Sequence, residues 1–333
     1  MQRSLVGSEM CIRDSLRIIH TPDGGTVANF VTDQMGAIKR CHPEIKVEYY
    51  QINGRNSKWN YIKSLKDIRR LIQELSIDVI HIHHGLSGLF LLFGIRPKQP
   101  VVLTMHGGDI QPEQGQKLIV AITHKILKIV DFAITLNERM DNMVKQYCPN
   151  TAIIPCSIDL NYFKPLDRKE NKIKKIIFGS SPLREVKDYP LFEKTVNILK
   201  NKYNYQIETI LFDGISKAQV LKHYQNCDML LLTSFSEGSP GVIKEAMACN
   251  LKIVSTNVGD VAVNLKGMKN AAVATTRTPE ELAELCDKCF RNTINGLEGR
   301  EKLIQLGLDD KSITDKLIKI YEKLIDIKLN KHL

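Results

Sequence analysis

The chain has 333 residues, 43% of them apolar and 25% charged, a balance ordinary for a folded cytosolic protein and incompatible with intrinsic disorder. Lys and Arg exceed Asp and Glu by 20 to 15 up to residue 165 and by 27 to 22 beyond it, so the net charge of +10 is spread evenly over two halves. A diffuse positive field suits anionic partners in general and selects none of them, and no basic arm interleaved with aromatics marks a nucleic-acid binder.

The first fifteen residues have no period and join abruptly onto a strand; they resemble translated adaptor sequence and are set aside from the fold. A strand follows at 16–20, then a glycine turn, Thr21-Pro-Asp-Gly-Gly25, and a helix beginning near Thr26. Further strands are expected at 47–52, 78–81, 101–105, 132–136 and 152–154, with helices at 57–75 and 116–130 between them. The pattern stops at 155–165, where a linker is expected, with polar residues 167–175 after it. Alternation then restarts, with strands at 176–179, 207–212, 229–233, 252–255 and 271–274. Alternating strands and helices of this length imply an α/β fold, a doubly wound parallel sheet in each half facing a central cleft. The expected domains are 16–165 and 166–333, with the last helix a candidate to pack back on the first domain.

No apolar run approaches the ~20 residues that span a bilayer, and the first residues lack a secretory apolar region. The eight cysteines are scattered, which points to a reducing compartment rather than a disulfide framework. Cys286 and Cys289 fall one helical turn apart on an expected helix, with no second ligand pair for zinc. His81, His83 and His84 read as strand-end residues rather than a metal cluster. Residues 57–73 carry Trp59, Ile62, Leu65, Ile68 and Ile72 among Lys58, Lys63, Lys66, Arg69 and Arg70. That stripe is expected to pack on the sheet, the alternative being contact with an anionic membrane.

The most informative stretch runs from Asp228 to Asn250: a buried strand, a loop containing Glu237-Gly-Ser-Pro-Gly241, and a helix. Free amides at a helix start, beside a positive dipole end, suit a phosphate or a sugar hydroxyl. Glu245 stands about 7.5 Å along that helix, and helical side chains lean back toward the N-terminus. A carboxylate there suits a ribose diol, and Glu237 on the loop suits a second polyol such as a hexose.

Glu237 and Glu245, with seven residues between them, within Glu-Gly-Ser-Pro and Glu-Ala-Met-Ala, resemble the E-x7-E signature of the retaining glycosyltransferases of family GT4, the bacterial surface-polysaccharide group included, which have the GT-B fold. Ile253-Val-Ser-Thr-Asn-Val-Gly-Asp260, Gly24-Gly25, Asp78-Val-Ile-His, Leu103-Thr-Met-His-Gly-Gly-Asp109 and Ile154-Pro-Cys-Ser-Ile-Asp159 agree in order, so the resemblance covers nearly the whole chain from residue 16. It implies Glu245 on the nucleotide ribose, Glu237 on the donor hexose, and the loop of Gly238, Ser239, Pro240 and Gly241 lying along the sugar and diphosphate, with amides from its non-proline residues. Gly25 would also line the donor site, His106 would lie near the donor C6 hydroxyl, and Asp109 would lie beside the acceptor.

Lys187 matches the family's diphosphate lysine, while Pro182 stands where an arginine is usual and Arg184 is the nearest substitute. After Asp260 the usual Pro-Glu pair is replaced by Val261-Ala-Val263, and Asn250 replaces a helix-ending glycine. No Asp-x-Asp motif appears, so no metal and no other cofactor is expected beside a nucleotide-diphosphate sugar as co-substrate. The partners implied are that donor and a saccharide or lipid-linked acceptor, at a cytoplasmic location or on the inner face of the membrane. The rivals are a nucleotide-sugar epimerase of the same architecture and a non-catalytic basic binding protein.

Overall fold

The computed structural model describes residues 16–20, 29–52, 57, 59–74, 77–113, 117–167 and 171–330. The fifteen-residue leading tract, Gly24, Gly25 and Lys58 lie outside them.

The first half contains β1 (Leu16–His20), α1 (Asn29–Cys41), β2 (Val47–Gln51), α2 (Trp59–Glu74), β3 (Val79–His83), α3 (Leu89–Leu92), β4 (Val101–Thr104), α4 (Lys117–Leu127), β5 (Phe132–Thr135), α5 (Glu138–Val144) and β6 (Thr151–Ile153). The second half contains β7 (Lys174–Phe178), α6 (Tyr189–Asn201), β8 (Ile207–Leu211), α7 (Lys217–Asn226), β9 (Met229–Leu232), α8 (Gly241–Ala248), β10 (Lys252–Ser255), α9 (Val261–Leu265), β11 (Ala271–Val273), α10 (Pro279–Phe290), α11 (Gly299–Leu306) and α12 (Asp310–Asn330).

Two separate sheets result, ordered β2-β1-β3-β4-β5-β6 and β11-β10-β9-β7-β8, and their ladders are parallel. Strands β3, β4 and β9 are buried along their whole length, as central strands of a parallel sheet covered by helices on both faces are. In each sheet the order reverses once, between β1 and β3 and again between β7 and β9. Loops leaving the carboxyl ends of strands at such a reversal diverge and leave a crevice. Lys187 follows β7 and Glu237 follows β9, so both flank the crevice of the second sheet.

The histidine strand differs from the sequence expectation. β3 ends at His83, which puts His81 and His83 inside a central strand with exposures of 0% and 1%. They tolerate that burial because each finds a polar partner. His81 shares its Nδ1 with the Tyr321 hydroxyl at 2.6 Å and its Nε2 with Thr104 Oγ1 at 2.7 Å, and burial pushes it down to about 3, so it stays neutral. His84 has φ 72° and its Nδ1 accepts from the Leu86 amide. The three rings therefore serve three different bonds, and among the described residues no group of three or more His, Cys, Asp or Glu is arranged to hold a metal.

Tyr321 belongs to α12, which crosses back to the first half. Arg40 of α1 bonds Asp310 at 2.5 Å, His42 bonds Asp315 at 2.8 Å, and Lys328 meets Asp131 at 3.0 Å. The expected linker is packed rather than loose: Phe163 is 1% exposed, Ile158 donates its amide to Leu308 O at 3.0 Å, and Arg300 grips the carbonyls of Leu160 and Phe163 at 2.7 and 2.9 Å. Cys286 and Cys289 are both fully buried on α10, where burial raises both thiols, to about 12 for Cys289. They are core residues.

Candidate functional site

A cavity of about 370 Å³ lies between the two halves. Its first-half wall includes Asp33, His83, Thr104, His106 and Leu136; residues 154–159 form its floor. The opposite wall carries Arg184, Lys187, residues 236–242 and Glu245. The cavity thus gathers every site residue named from the sequence except Asp109, which is treated below, and Gly25, which is not among the described residues.

Lys187 closes a single 3-10 turn, Glu185–Lys187, and its side chain is 11% exposed. The turn is braced from β9: Thr233 Oγ1 donates to the carbonyls of Lys187 and Asp188 at 2.9 and 3.0 Å, and the Phe235 amide donates to Val186 O at 2.8 Å. Asp188, at φ 50°, caps α6 and is held by Arg277 at 2.6 Å, whose guanidinium also lies 3.9 Å from the Phe235 ring centre. So fixed, the Lys187 ammonium reaches Glu237 Oε1 at 2.5 Å, and Ser234 Oγ donates to the same oxygen at 2.6 Å. Oε2 of Glu237 carries neither bond.

The loop after Glu237 approaches the first half closely. A Cβ on Gly238 would lie 3.0 Å from Leu136 Cδ1 and 3.3 Å from the His106 carbonyl, and Asn137 Nδ2 donates to Gly238 O at 2.7 Å. Behind the loop, Gly259 has φ 57°, and a Cβ there would stand 2.6 Å from Gly238 O, so glycine is required on both counts. Pro240 caps α8, whose first residue is Gly241. The Ser239 hydroxyl is taken up within the protein: it donates to Asp260 Oδ2 at 2.6 Å and accepts from Lys244. Only its backbone remains for a ligand.

Glu245 sits on the cavity side of α8. Its Oε2 accepts from the Tyr224 hydroxyl at 2.9 Å. Burial raises the Glu245 carboxyl to about 7; the Tyr224 bond and the Lys217 charge pull it down, and Asp33 pushes it up. Lys217 and Asp33 are themselves bonded at 2.6 Å, across the two halves.

Facing these groups, His106 Nε2 lies 3.0 Å from His83 Nδ1, so one of the two nitrogens carries the proton of that contact. Asp109 does not face the cavity. It is 0% exposed and accepts the amides of Gly85, His106 and Gly107 at 2.9, 3.0 and 3.1 Å. The carboxylate has its bonds inside the loop, where it shapes the backbone that carries His106.

Sequence reasoning missed Tyr224, Asn137 and Lys244. Lys244 is 1% exposed and lies 3.4 Å from Asp260. It had a visible signal, since it falls one turn before Met247 and Ala248 on the buried side of α8. Asn137 caps α5 through the Met140 amide at 2.9 Å, a role its position before Glu138 suggests, but its bond to Gly238 needs the two halves in place.

Two family models match back to back: Glycosyltransferase Family 4 over residues 19–162 and Glycosyl transferases group 1 over residues 160–308. An uncharacterized glycosyltransferase of Methanocaldococcus jannaschii is 26% identical over 295 residues, 80% of this chain and 81% of that protein. The putative teichuronic acid biosynthesis glycosyltransferase TuaC of Bacillus subtilis is 22% identical over 242 residues, 64% of this chain and 61% of that protein. Among solved structures, sucrose-phosphate synthase of Thermosynechococcus elongatus superimposes with a TM-score of 0.76 at 14% identity, covering 95% of this chain and all of that one. HepE of Anabaena in complex with UDP-glucose gives 0.69 at 12% identity, covering 92% and 99%. Two parallel-sheet domains with these structural neighbours make the GT-B fold. With both halves matched in order over residues 19–308, the two family models support a glycosyltransferase of the family 4 type.

Proposed function

We propose that this chain is a retaining glycosyltransferase that moves a hexose from a nucleotide-diphosphate sugar to a saccharide or lipid-linked acceptor in cell-surface polysaccharide assembly, without a metal ion. The observation that carries the reading is the convergence of Lys187, Glu237 and Glu245 on one interdomain cavity, with Lys187 and Glu237 in direct contact. HepE of Anabaena, a protein of the same fold, is seen in complex with UDP-glucose and with UDP and glucose, which supports a nucleotide-sugar donor. The teichuronic acid role in the name of the Bacillus subtilis relative supports a polysaccharide product.

On this reading Glu245 accepts hydrogen bonds from the ribose diol, and Glu237 offers Oε2 to the hexose hydroxyls. The amides at the start of α8 face the diphosphate. As the bond from the anomeric carbon to the diphosphate oxygen breaks, negative charge grows on that oxygen, and the Lys187 ammonium and Arg184 guanidinium are placed to offset it. Cations already on the cavity wall supply the role that a divalent ion plays elsewhere. The acceptor hydroxyl attacks on the face the diphosphate leaves and passes its proton to the departing diphosphate oxygen, and His106 sits on the opposite wall by the hexose C6 hydroxyl. Glu237 positions the sugar and is given no role as a base.

The test is a panel of nucleotide sugars with a saccharide acceptor, products resolved by mass and anomeric configuration, with and without a chelator. Retained configuration and chelator-insensitive transfer support the reading. An epimerised nucleotide sugar released without acceptor refutes it.

A further inference from the structure

The Glu245 carboxylate has a neighbour that the transfer reaction does not call on. Tyr224, on α7, is fully buried, wedged edge-on against Phe163 and Phe212 with ring centres 6.2 and 5.3 Å away. Those rings fix the direction of its hydroxyl, which reaches Glu245 Oε2 at 2.9 Å and, less closely, Val242 O at 3.3 Å. A hydroxyl has one proton, and the shorter contact places it toward the carboxylate. The other groups that influence Glu245 are Lys217 at the start of α7 and Asp33 from α1, paired with each other; Cys249, one turn further along α8, lies by Tyr224.

We propose that Tyr224 is a positioning residue for the nucleotide: its hydroxyl donates to Glu245 and keeps that side chain as an acceptor-only carboxylate aimed at the ribose. The inference rests on the nucleotide-sugar reading above. A ribose presents two hydroxyls that can both donate, and a charged carboxylate accepts both, whereas a protonated one carries a hydrogen that competes with them. Even with the Tyr224 bond in place, burial raises the Glu245 carboxyl to about 7, so the charged form prevails only above about that pH and loss of the bond would shift it further up. A buried donor at hydrogen-bond distance works against that tendency, and it does so from behind, since Tyr224 is sealed from the cavity.

The experiment is calorimetric titration of wild type, Tyr224→Phe and Glu245→Gln between pH 5.5 and 9, using whichever of uridine, adenosine or guanosine diphosphate binds wild type most tightly. Tyr224→Phe keeps the ring and removes only the donor. The ratio of variant to wild-type affinity cancels the ligand's own titration. Tyr224→Phe is expected to bind about tenfold more weakly at pH 7 and to return to within about twofold of wild type at pH 9, where Glu245 is charged without help. An equal loss at every pH assigns Tyr224 a packing role and overturns the proposal, as does no loss at pH 7. If Glu245→Gln binds as wild type does, or wild type binds none of the three, the nucleotide reading itself is wrong and the proposal goes with it.

Discussion

The Lys187 ammonium lies 2.5 Å from Glu237 Oε1, so the cation proposed for the diphosphate and the acid proposed for the hexose hold each other in place. Ser234 and the Thr233 brace complete that arrangement from β9. The pair is only 11% and 13% exposed, which makes its geometry stiff and its charges effective.

Removing the cation should therefore act on the chemical step. Lys187→Ala is expected to lower kcat by about 10²–10³, the range seen when one group that stabilises developing charge is deleted. Nucleotide-sugar KM should change far less. Steady-state kinetics that instead show a raised KM with kcat intact would place Lys187 in ground-state binding only. Glu245→Ala is the complement, with weakened donor binding as its main effect.

Glu245 gives a stability signature. Its carboxyl is raised from 4.5 to about 7 in the folded chain, so the folded state holds a proton that the unfolded state has released between those values. The contribution is fully present below about pH 4.5, is lost as pH rises toward about 7, and is constant above that. Glu245→Gln should remove this component, leaving a Tm that falls less steeply from pH 5 to pH 7 than that of wild type. Parallel Tm profiles for the two proteins would show that Glu245 is not perturbed by burial.

Lys244 and Asp260 form a buried pair behind the donor loop, joined through Ser239. Deleting one member strands the other charge in the core. Lys244→Met alone is expected to cost about 3–5 kcal/mol of stability. Lys244→Met with Asp260→Asn should recover part of that loss, because no unpaired charge remains. Equal destabilisation in the single and double variants, read by urea unfolding, would show that the two residues are not coupled.

How much of this was legible in sequence depends on how local each relationship is. Glu237 and Glu245 were readable because one strand, one glycine loop and one helix turn set their spacing. Lys187 was found by resemblance, since a lysine after a strand says little alone. The His83–His106 contact depends on β3 pairing with β4 in the register that sets His83 beside Thr104, which no single segment encodes. Tyr224 meets Glu245 only because α7 packs against α8, and Asn137 meets Gly238 only across the cleft. An acid beside glycines at a strand end looks the same in sequence whether or not it ties up its own loop's amides, as Asp109 does.

The α2 stripe was expected to pack on the sheet, and it does so in part. Tyr61 and Ile68 are buried, while Trp59 and Ile62 are 68% and 44% exposed beside exposed Lys63 and Lys66. Among the described residues no helix is long and apolar enough to cross a membrane. Exposed Trp and Ile within a basic face suit the interface of an anionic leaflet, each lysine or arginine near that surface contributing about 1 kcal/mol. Reversing Lys63, Lys66 and Arg70 to glutamate should therefore weaken sedimentation with phosphatidylserine vesicles by well over tenfold, with neutral vesicles as the control. Transfer to a water-soluble acceptor should be unchanged, because none of the three lines the cavity. Binding to charged vesicles that survives the reversal would leave Trp59 and Ile62 as exposed side chains with no part in membrane contact.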